Sequence, residues 1–213
     1  MSIEAKFGKL GTDNAPGQEL RQRAAGIEAA MRGKVLSGRP VDFSHGDVDA
    51  HTPTPGSFEL FSAGVALGGA QAYTEYRGDP SIREAIAPRL ADFTGASVDA
   101  EDGLIITPGT QGALFLALAA TVMRADKVAI VQPDYFANRK LVEFLEREIV
   151  PVQMDYVHTD EAQAGLDLNS LEDAFISGAR VFLFSNPNNP AGVVYSPAEI
   201  RQIAILRENT AQS

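Results

Sequence analysis

The 213-residue sequence lacks the residue types that build several common kinds of binding site. It contains no cysteine, and its three histidines, His45, His51 and His158, are widely separated. Without cysteine there are no disulfide bonds and no thiolate metal ligands, and the histidine spacing does not fit a zinc site. We therefore expect no metal centre.

Positive charge is also scarce, since 18 Lys and Arg residues stand against 28 Asp and Glu residues and the formal net charge is -10. Such a chain repels both a nucleic-acid backbone and an anionic membrane surface, so neither is an expected partner. No apolar run approaches the roughly 20 residues that cross a bilayer, and residues 1–10 are too polar for a secretory signal. These features predict a cytoplasmic protein.

The hydrophobic fraction, 45%, is high enough for a sizeable core. Apolar residues at three- and four-residue steps predict an amphipathic helix within residues 13–34. Residues 37–56 are rich in Gly, Pro, Asp and His, which predicts an irregular connection. We therefore divide the chain into an N-terminal arm or small-domain segment, residues 1–56, and a main domain, residues 57–213.

From residue 81 onwards the sequence alternates between helical and strand patterns. Strands are predicted at 104–107, 128–131, 149–154 and 181–184, and helices at 81–93, 111–123, 138–148, 169–178 and from Ser196. This alternation indicates an α/β fold, a three-layer sandwich whose mainly parallel sheet is covered on both faces. The helix at 111–123 is almost wholly apolar, so we expect it to be buried on more than one side.

The turn between the strand at 104–107 and the apolar helix is a candidate anion site. Its sequence, residues 107–114, opens a helix, and a helix N-terminus directs backbone N–H groups and a positive dipole end at a ligand. A phosphate fits such a site. Gly and Thr are also ordinary turn and cap residues, so the pattern alone leaves both interpretations open.

Two further segments follow predicted strands, where open α/β sheets bind their ligands. Tyr135 belongs to the segment 132–136 at the end of the strand at 128–131 and is able either to stack on a planar ligand or to pack its loop against the core. Asn186, Asn188 and Asn189 follow the strand at 181–184. Their amides are able to donate to a ligand oxygen or to cap a tight turn.

The order and spacing of these segments resemble the class I/II aminotransferases of fold type I. Tyr73 to Gly78, followed by Ile82 to Ala87, is similar to the family's Tyr-x-x-x-x-Gly…Leu-Arg-x-x-Ile segment. Residues 107–114 resemble its phosphate loop, residues 133–135 its ring-stacking loop, and residues 189–192 its Asn-Pro-x-Gly turn. The resemblance covers roughly residues 38–205.

The resemblance implies an incomplete aminotransferase large domain, preceded by an N-terminal helical arm, and pyridoxal 5'-phosphate as the cofactor. Gly109, Thr110 and Gln111 would hold the phosphate. Tyr135 would stack on the pyridine ring, and Asn189 would donate to its phenolic oxygen.

The resemblance also implies a homodimer and a substrate-binding loop. Tyr73 would reach across the dimer to the partner's phosphate, with Tyr76 as a second candidate for that role. Gly46 would approach the substrate carboxylate.

The implied reaction moves an amino group between an amino acid and a 2-oxo acid, in amino-acid metabolism. We find no counterpart of the family's cofactor-binding lysine, and the five lysines, Lys6, Lys9, Lys34, Lys127 and Lys140, lie in other contexts. We therefore assign no catalytic residue and expect the isolated chain to be truncated and inactive. A lyase or decarboxylase of the same fold, or an inactive fragment that acts as an interaction partner, are the alternatives.

Overall fold

The computed structural model describes residues 2–10, 29, 31–34, 37, 52–67, 73–155 and 165–211. In chain order its elements are α1 (Ile3–Leu10), α2 (Ser57–Ala66), α3 (Pro80–Thr94), α4 (Gly109–Thr121), β1 (Lys127–Gln132), α5 (Phe136–Phe144), β2 (Glu148–Asp155), β3 (Gly165–Leu166), α6 (Leu168–Ile176), β4 (Ala179–Leu183) and α7 (Pro197–Ala211). Within these residues no helix combines the length and the apolar character needed to cross a membrane.

The strands form a mainly parallel sheet in the order β3-β2-β1-β4. β1 is central and pairs in parallel with both β2 and β4, whereas β3 pairs antiparallel with β2. The register aligns Gln132 with Gln153, and Ile130 with Leu183. The carboxyl ends of β1, β2 and β4 therefore lie at one edge of the sheet.

Side chains alternate across β1 and feed two separate cores. Val128 and Ile130 belong to a core that includes Leu118 of α4 and Val142 of α5. On the other face, Ala129 and Val131 belong to a core with the following residues of β2, β3, α6 and the segment before α7: Val152, Met154, Leu166, Leu171, Ala174, Phe175, Val193 and Tyr195. Helices cover both faces, which confirms the predicted three-layer α/β class.

The observed helix ends follow local sequence signals. Asp79 caps α3 by accepting from the Ser81 backbone N–H at 2.8 Å. At the start of α7, Ser196 and Glu199 form the predicted capping box: the Ser196 N–H donates to Glu199 at 2.7 Å, and the Glu199 N–H donates to the Ser196 hydroxyl at 3.2 Å.

The chain divides into two compact units, one made of residues 1–15 and 108–213 and the other of residues 16–107. The first contains the sheet, and the second contains α2 and α3. In the second unit, Arg83 is only 1% exposed. Its guanidinium donates to the carboxylates of Glu75 at 2.9 Å and Glu101 at 3.2 Å. The predicted division between residues 56 and 57 concerns the family's domains and stays a prediction.

Two predictions about the main domain are wrong. Residues 104–107 do not form a strand: none of the described strands pairs with them, and the Ile106 N–H donates to the carbonyl of Arg77 at 2.8 Å instead. Helix α4 is not buried on more than one side. Leu118 is buried, but Leu116 is 51% exposed, because the sheet covers one face of the helix and no described residue covers the opposite face.

The N-terminal segment adds one unpredicted helix. α1 lies against α5, where Lys6 forms an ion pair with Glu146 at 3.8 Å and sits 4.7 Å from the centre of the Phe144 ring. Lys140 donates a hydrogen bond to the carbonyl of Leu10. Most of the helix predicted at 13–34, and most of the connection at 37–56, lie outside the described residues.

Candidate functional site

The candidate site is built on the carboxyl ends of β1 and β4, which are neighbours in the sheet. β1 ends at Gln132 and leads into the loop that carries Tyr135, and β4 ends at Leu183 and leads into the turn that carries Asn189. Loops after neighbouring parallel strands meet at one edge of the sheet, where ligands of open α/β folds bind. Two of the three segments singled out in the sequence are thus adjacent in space.

Tyr135 lines a cavity of about 510 Å³ at this edge. Its wall consists of Ile130–Phe136, Arg139, Ile149, Gln153 and Met154. The Tyr135 ring lies 4.7 Å from the Phe136 ring, at an angle of 60°. The cavity wall therefore includes an aromatic pair as well as Gln153 and Met154 near the carboxyl end of β2.

The turn that contains Asn189 is held by its neighbour Asn188, which is 3% exposed. The Asn188 N–H donates to the carbonyl of Val193 at 2.7 Å, and the Asn188 carbonyl accepts from the Gly192 N–H at 2.8 Å. The Asn189 side chain itself is exposed. The turn thus presents one asparagine to solvent and uses the other to close its own backbone.

The predicted phosphate loop becomes the first turn of α4, which starts at Gly109 with a φ of 72°. Pro108 offers no side-chain cap, and Thr110 and Gln111 are exposed. α4 packs on β1 and connects to it through residues 122–126, so the two run in opposite directions. A 13-residue helix and a six-residue strand are each about 20 Å long, which brings the start of α4 level with the carboxyl end of β1.

A buried phenol lies below this edge. Tyr195 is 3% exposed, and its hydroxyl donates to the Met154 sulfur at 3.7 Å. Burial, together with the negative charges of Asp134 and Glu199, raises the pKa of Tyr195 to about 12, against the lowering effect of a hydrogen bond with Asn188. The phenol therefore stays protonated at neutral pH.

Two predicted site residues belong to the unit of residues 16–107, and a third is outside the described residues. Tyr73 is 96% exposed and lines a hollow of about 530 Å³ within its own unit. Tyr76 lines the same hollow and is fully exposed. Gly46 is not among the described residues. The predicted roles of all three stay predictions.

Polar contacts that the sequence analysis did not predict join the two loops, although Asn188 was among the asparagines singled out after the strand at 181–184. Asp134 accepts from the Ser185 hydroxyl at 3.1 Å and from the Asn138 side-chain amide at 2.8 Å. Asn188 donates to the carbonyl of Pro133 at 3.1 Å. Each looks like an ordinary turn residue in the sequence, and only the placement of Asp134 and of Asn188 just after two strands of one sheet hinted at contact.

The chain is similar to known aminotransferases. Residues 59–211 match the family model of aminotransferase class I and II. An aspartate aminotransferase of Sulfolobus acidocaldarius is 32% identical over 136 residues, which is 64% of this chain and 33% of that enzyme. The crystal structure of an aspartate aminotransferase from Rhodobacter sphaeroides is 73% identical, with a TM-score of 0.84 over 99% of this chain and 51% of that one.

A more distant structure shares the fold alone. Cystalysin from Treponema denticola, described with a pyridoxal 5'-phosphate cofactor, is 21% identical, with a TM-score of 0.61 over 74% of this chain and 39% of that one. The chain therefore spans between a third and about half of the length of these relatives.

Proposed function

Because the chain belongs to the aminotransferase class I and II family, we propose that it forms the phosphate- and ring-binding part of a pyridoxal-phosphate-dependent aminotransferase. The complete protein moves an amino group between an amino acid and a 2-oxo acid. The observation that carries the proposal is the pairing of β1 with β4, because it brings the Tyr135 loop and the Asn189 turn into hydrogen-bond contact.

The start of α4 fits a phosphate. The first-turn residues Thr110 and Gln111 are exposed and Pro108 provides no cap, so a dianion is able to accept from helix N–H groups and from the Thr110 hydroxyl. A Cβ at Gly109 would meet no atom within 4 Å, so the glycine is required by its left-handed φ rather than by crowding.

The cavity beside Tyr135 fits a planar ring. Its volume of about 510 Å³ lies within the range of small-molecule sites, roughly 300–1,000 Å³. Tyr135 would stack on the ring, and the exposed amide of Asn189 would donate to the phenolic oxygen without adding charge. When bound, the cofactor supplies an electron sink for the bonds around the amino acid's α-carbon.

A homodimer and a cytoplasmic location are part of the proposal. Tyr73, almost fully exposed on its own chain, is suited to contact a second copy and to donate its hydroxyl to that copy's cofactor phosphate. Gly46 would lie near the substrate carboxylate. Aspartate is the first amino donor to test, because the 73% identical structure is that of an aspartate aminotransferase.

The phosphate role is tested by comparing binding of pyridoxal 5'-phosphate with binding of pyridoxal, which lacks the phosphate. Thr110→Val removes one hydroxyl donor, and a charge-assisted hydrogen bond is worth about 1.5–3 kcal/mol, so the preference for the phosphorylated form should fall roughly 10- to 100-fold. Equilibrium dialysis measures both affinities.

The matched control is Thr121→Val at the opposite end of α4, where the hydroxyl donates to the carbonyl of Ala117 at 2.7 Å. That variant should keep the preference of the unmodified protein. If Thr110→Val and the unmodified protein prefer pyridoxal 5'-phosphate over pyridoxal to the same degree, the proposed phosphate site at the start of α4 is contradicted. An absence of turnover of aspartate with 2-oxo acids by the complete protein would reject this substrate assignment.

A further inference from the structure

Two polar side chains, the buried Asn188 and the half-buried Asp134, connect the loop that carries Tyr135 to the segment after β4 that leads into the Asn189 turn. Neither has a role in the proposed cofactor contacts. Asn188 bridges them directly: its side-chain N–H donates to the carbonyl of Pro133 at 3.1 Å. The oxygen of the same amide accepts from the Ala191 N–H at 2.9 Å. One buried amide is thus hydrogen-bonded to both segments: to Pro133, two residues before Tyr135, and to Ala191, two residues after Asn189.

Asp134, the residue directly before Tyr135, makes a second connection. One of its carboxylate oxygens accepts from the hydroxyl of Ser185, which follows β4. The other accepts from the side-chain amide of Asn138, which is 3% exposed in the first turn of α5. Both oxygens are used inside the protein, so the carboxylate ties β4 and α5 to the residue next to Tyr135.

We propose that Asn188 and Asp134 are positioning residues that form a polar latch, defined by these four hydrogen bonds. The latch fixes the separation and orientation of the Tyr135 ring and the Asn189 amide before any ligand arrives. The inference rests on the proposed function, in which Tyr135 and Asn189 contact the cofactor. Its physical basis is that site residues carried on loops need neighbouring hydrogen bonds to hold a productive geometry.

The chemistry of the latch requires an amide at position 188. The side chain must donate on one side and accept on the other, which an ionised carboxylate of the same shape cannot do. Asn188→Asp keeps the acceptor for Ala191 but replaces the donor to Pro133 with a second acceptor. A buried oxygen facing a carbonyl oxygen is repulsive, so the loop and the turn should separate.

The test needs no cofactor in its first part. Amide hydrogen exchange is followed in residues 133–138 and 186–192 of the unmodified chain, Asn188→Asp and the milder Ser185→Ala, which removes only one partner of Asp134. We expect exchange in both segments to be on the order of tenfold faster in Asn188→Asp, and faster by a smaller factor in Ser185→Ala, since local opening controls exchange. Asn169→Asp, the same change at an exposed position of α6, is the control and should leave both segments unchanged.

The second part measures binding of pyridoxal 5'-phosphate and of inorganic phosphate to the same variants. The latch predicts that Asn188→Asp weakens the binding of pyridoxal 5'-phosphate about tenfold. The affinity for inorganic phosphate should stay unchanged, because the start of α4 is not part of the latch. Unchanged exchange in Asn188→Asp and Ser185→Ala would overturn the latch. Faster hydrogen exchange with unchanged binding of pyridoxal 5'-phosphate would overturn the positioning role of the latch. If the unmodified protein does not bind pyridoxal 5'-phosphate, that result counts against the proposed function. The hydrogen-exchange result then decides the latch by itself.

Discussion

Gly78 packs directly against Ile106. A Cβ at Gly78 would lie 2.5 Å from the Ile106 Cγ1 atom and 2.6 Å from its Cβ atom, and Gly78 has a φ of 97°. The contact is reinforced one residue earlier by the hydrogen bond from the Ile106 N–H to the carbonyl of Arg77. The segment that leads into the proposed phosphate helix is therefore fixed within its own unit by a turn that only glycine fits.

Gly78→Ala should destabilise the unit of residues 16–107. The new methyl group meets Ile106 and the residue must also keep a left-handed φ, which together cost roughly 1–3 kcal/mol or more. Thermal unfolding measures the loss. Gly64→Ala in α2 is the control: its Cβ meets nothing, so it should be neutral or stabilising by up to about 1 kcal/mol. Equal unfolding temperatures for the two variants would contradict the packing argument.

Arg83→Met should unfold the same unit at markedly lower denaturant. The guanidinium is 1% exposed and donates to the backbone carbonyls of Gly78, Ala100 and Glu101 as well as to two carboxylates. Its loss leaves several acceptors without donors, at a cost of roughly 2–4 kcal/mol. Arg89→Met, at an exposed position of α3, is the control. Its free energy of unfolding, measured by urea titration, should lie within about 0.5 kcal/mol of that of the unmodified protein.

Tyr195→Phe should reduce the loss of the free energy of unfolding at alkaline pH. The pKa of Tyr195 is raised to about 12 from an ordinary value of 10, so the folded protein binds the proton more tightly than the unfolded chain does. The resulting stability is fully present below pH 10 and is lost as the pH rises towards 12. Free energies of unfolding measured at pH 8, 10 and 11 should fall more steeply for the unmodified protein, and parallel curves would refute the assignment.

Glu199→Ala should loosen both the start of α7 and the edge strand β3. The carboxylate accepts from the Ser196 N–H in the capping box and, through its other oxygen, from the Leu166 N–H at 3.3 Å. Losing both contacts should cost about 1–2 kcal/mol and speed hydrogen exchange at Leu166. Glu208→Ala, an exposed change near the other end of α7, should alter neither quantity.

The sequence by itself determined the main elements of the sheet domain. The strands β1, β2 and β4, the helices between them and the capping box at Ser196 follow from short-range periodicity and from side chains that cap their own helices. These signals act over a few residues, so no knowledge of the rest of the chain is needed. The resemblance to the aminotransferases also identified the family, which the match of residues 59–211 to aminotransferase class I and II confirms. The roles that the resemblance implies for individual site residues stay predictions.

The tertiary structure decided what depends on partners distant in sequence. Residues 104–107 have strand character, but a strand exists only where a neighbour pairs with it, and Ile106 finds the backbone of Arg77 instead. Burial is equally non-local: nothing in the local pattern separates buried Asn188 from exposed Asn189 beside it. The pairing of β1 with β4 brings Pro133 within reach of Asn188 across 55 positions, so the contact between the two loops of the candidate site is a property of the folded sheet.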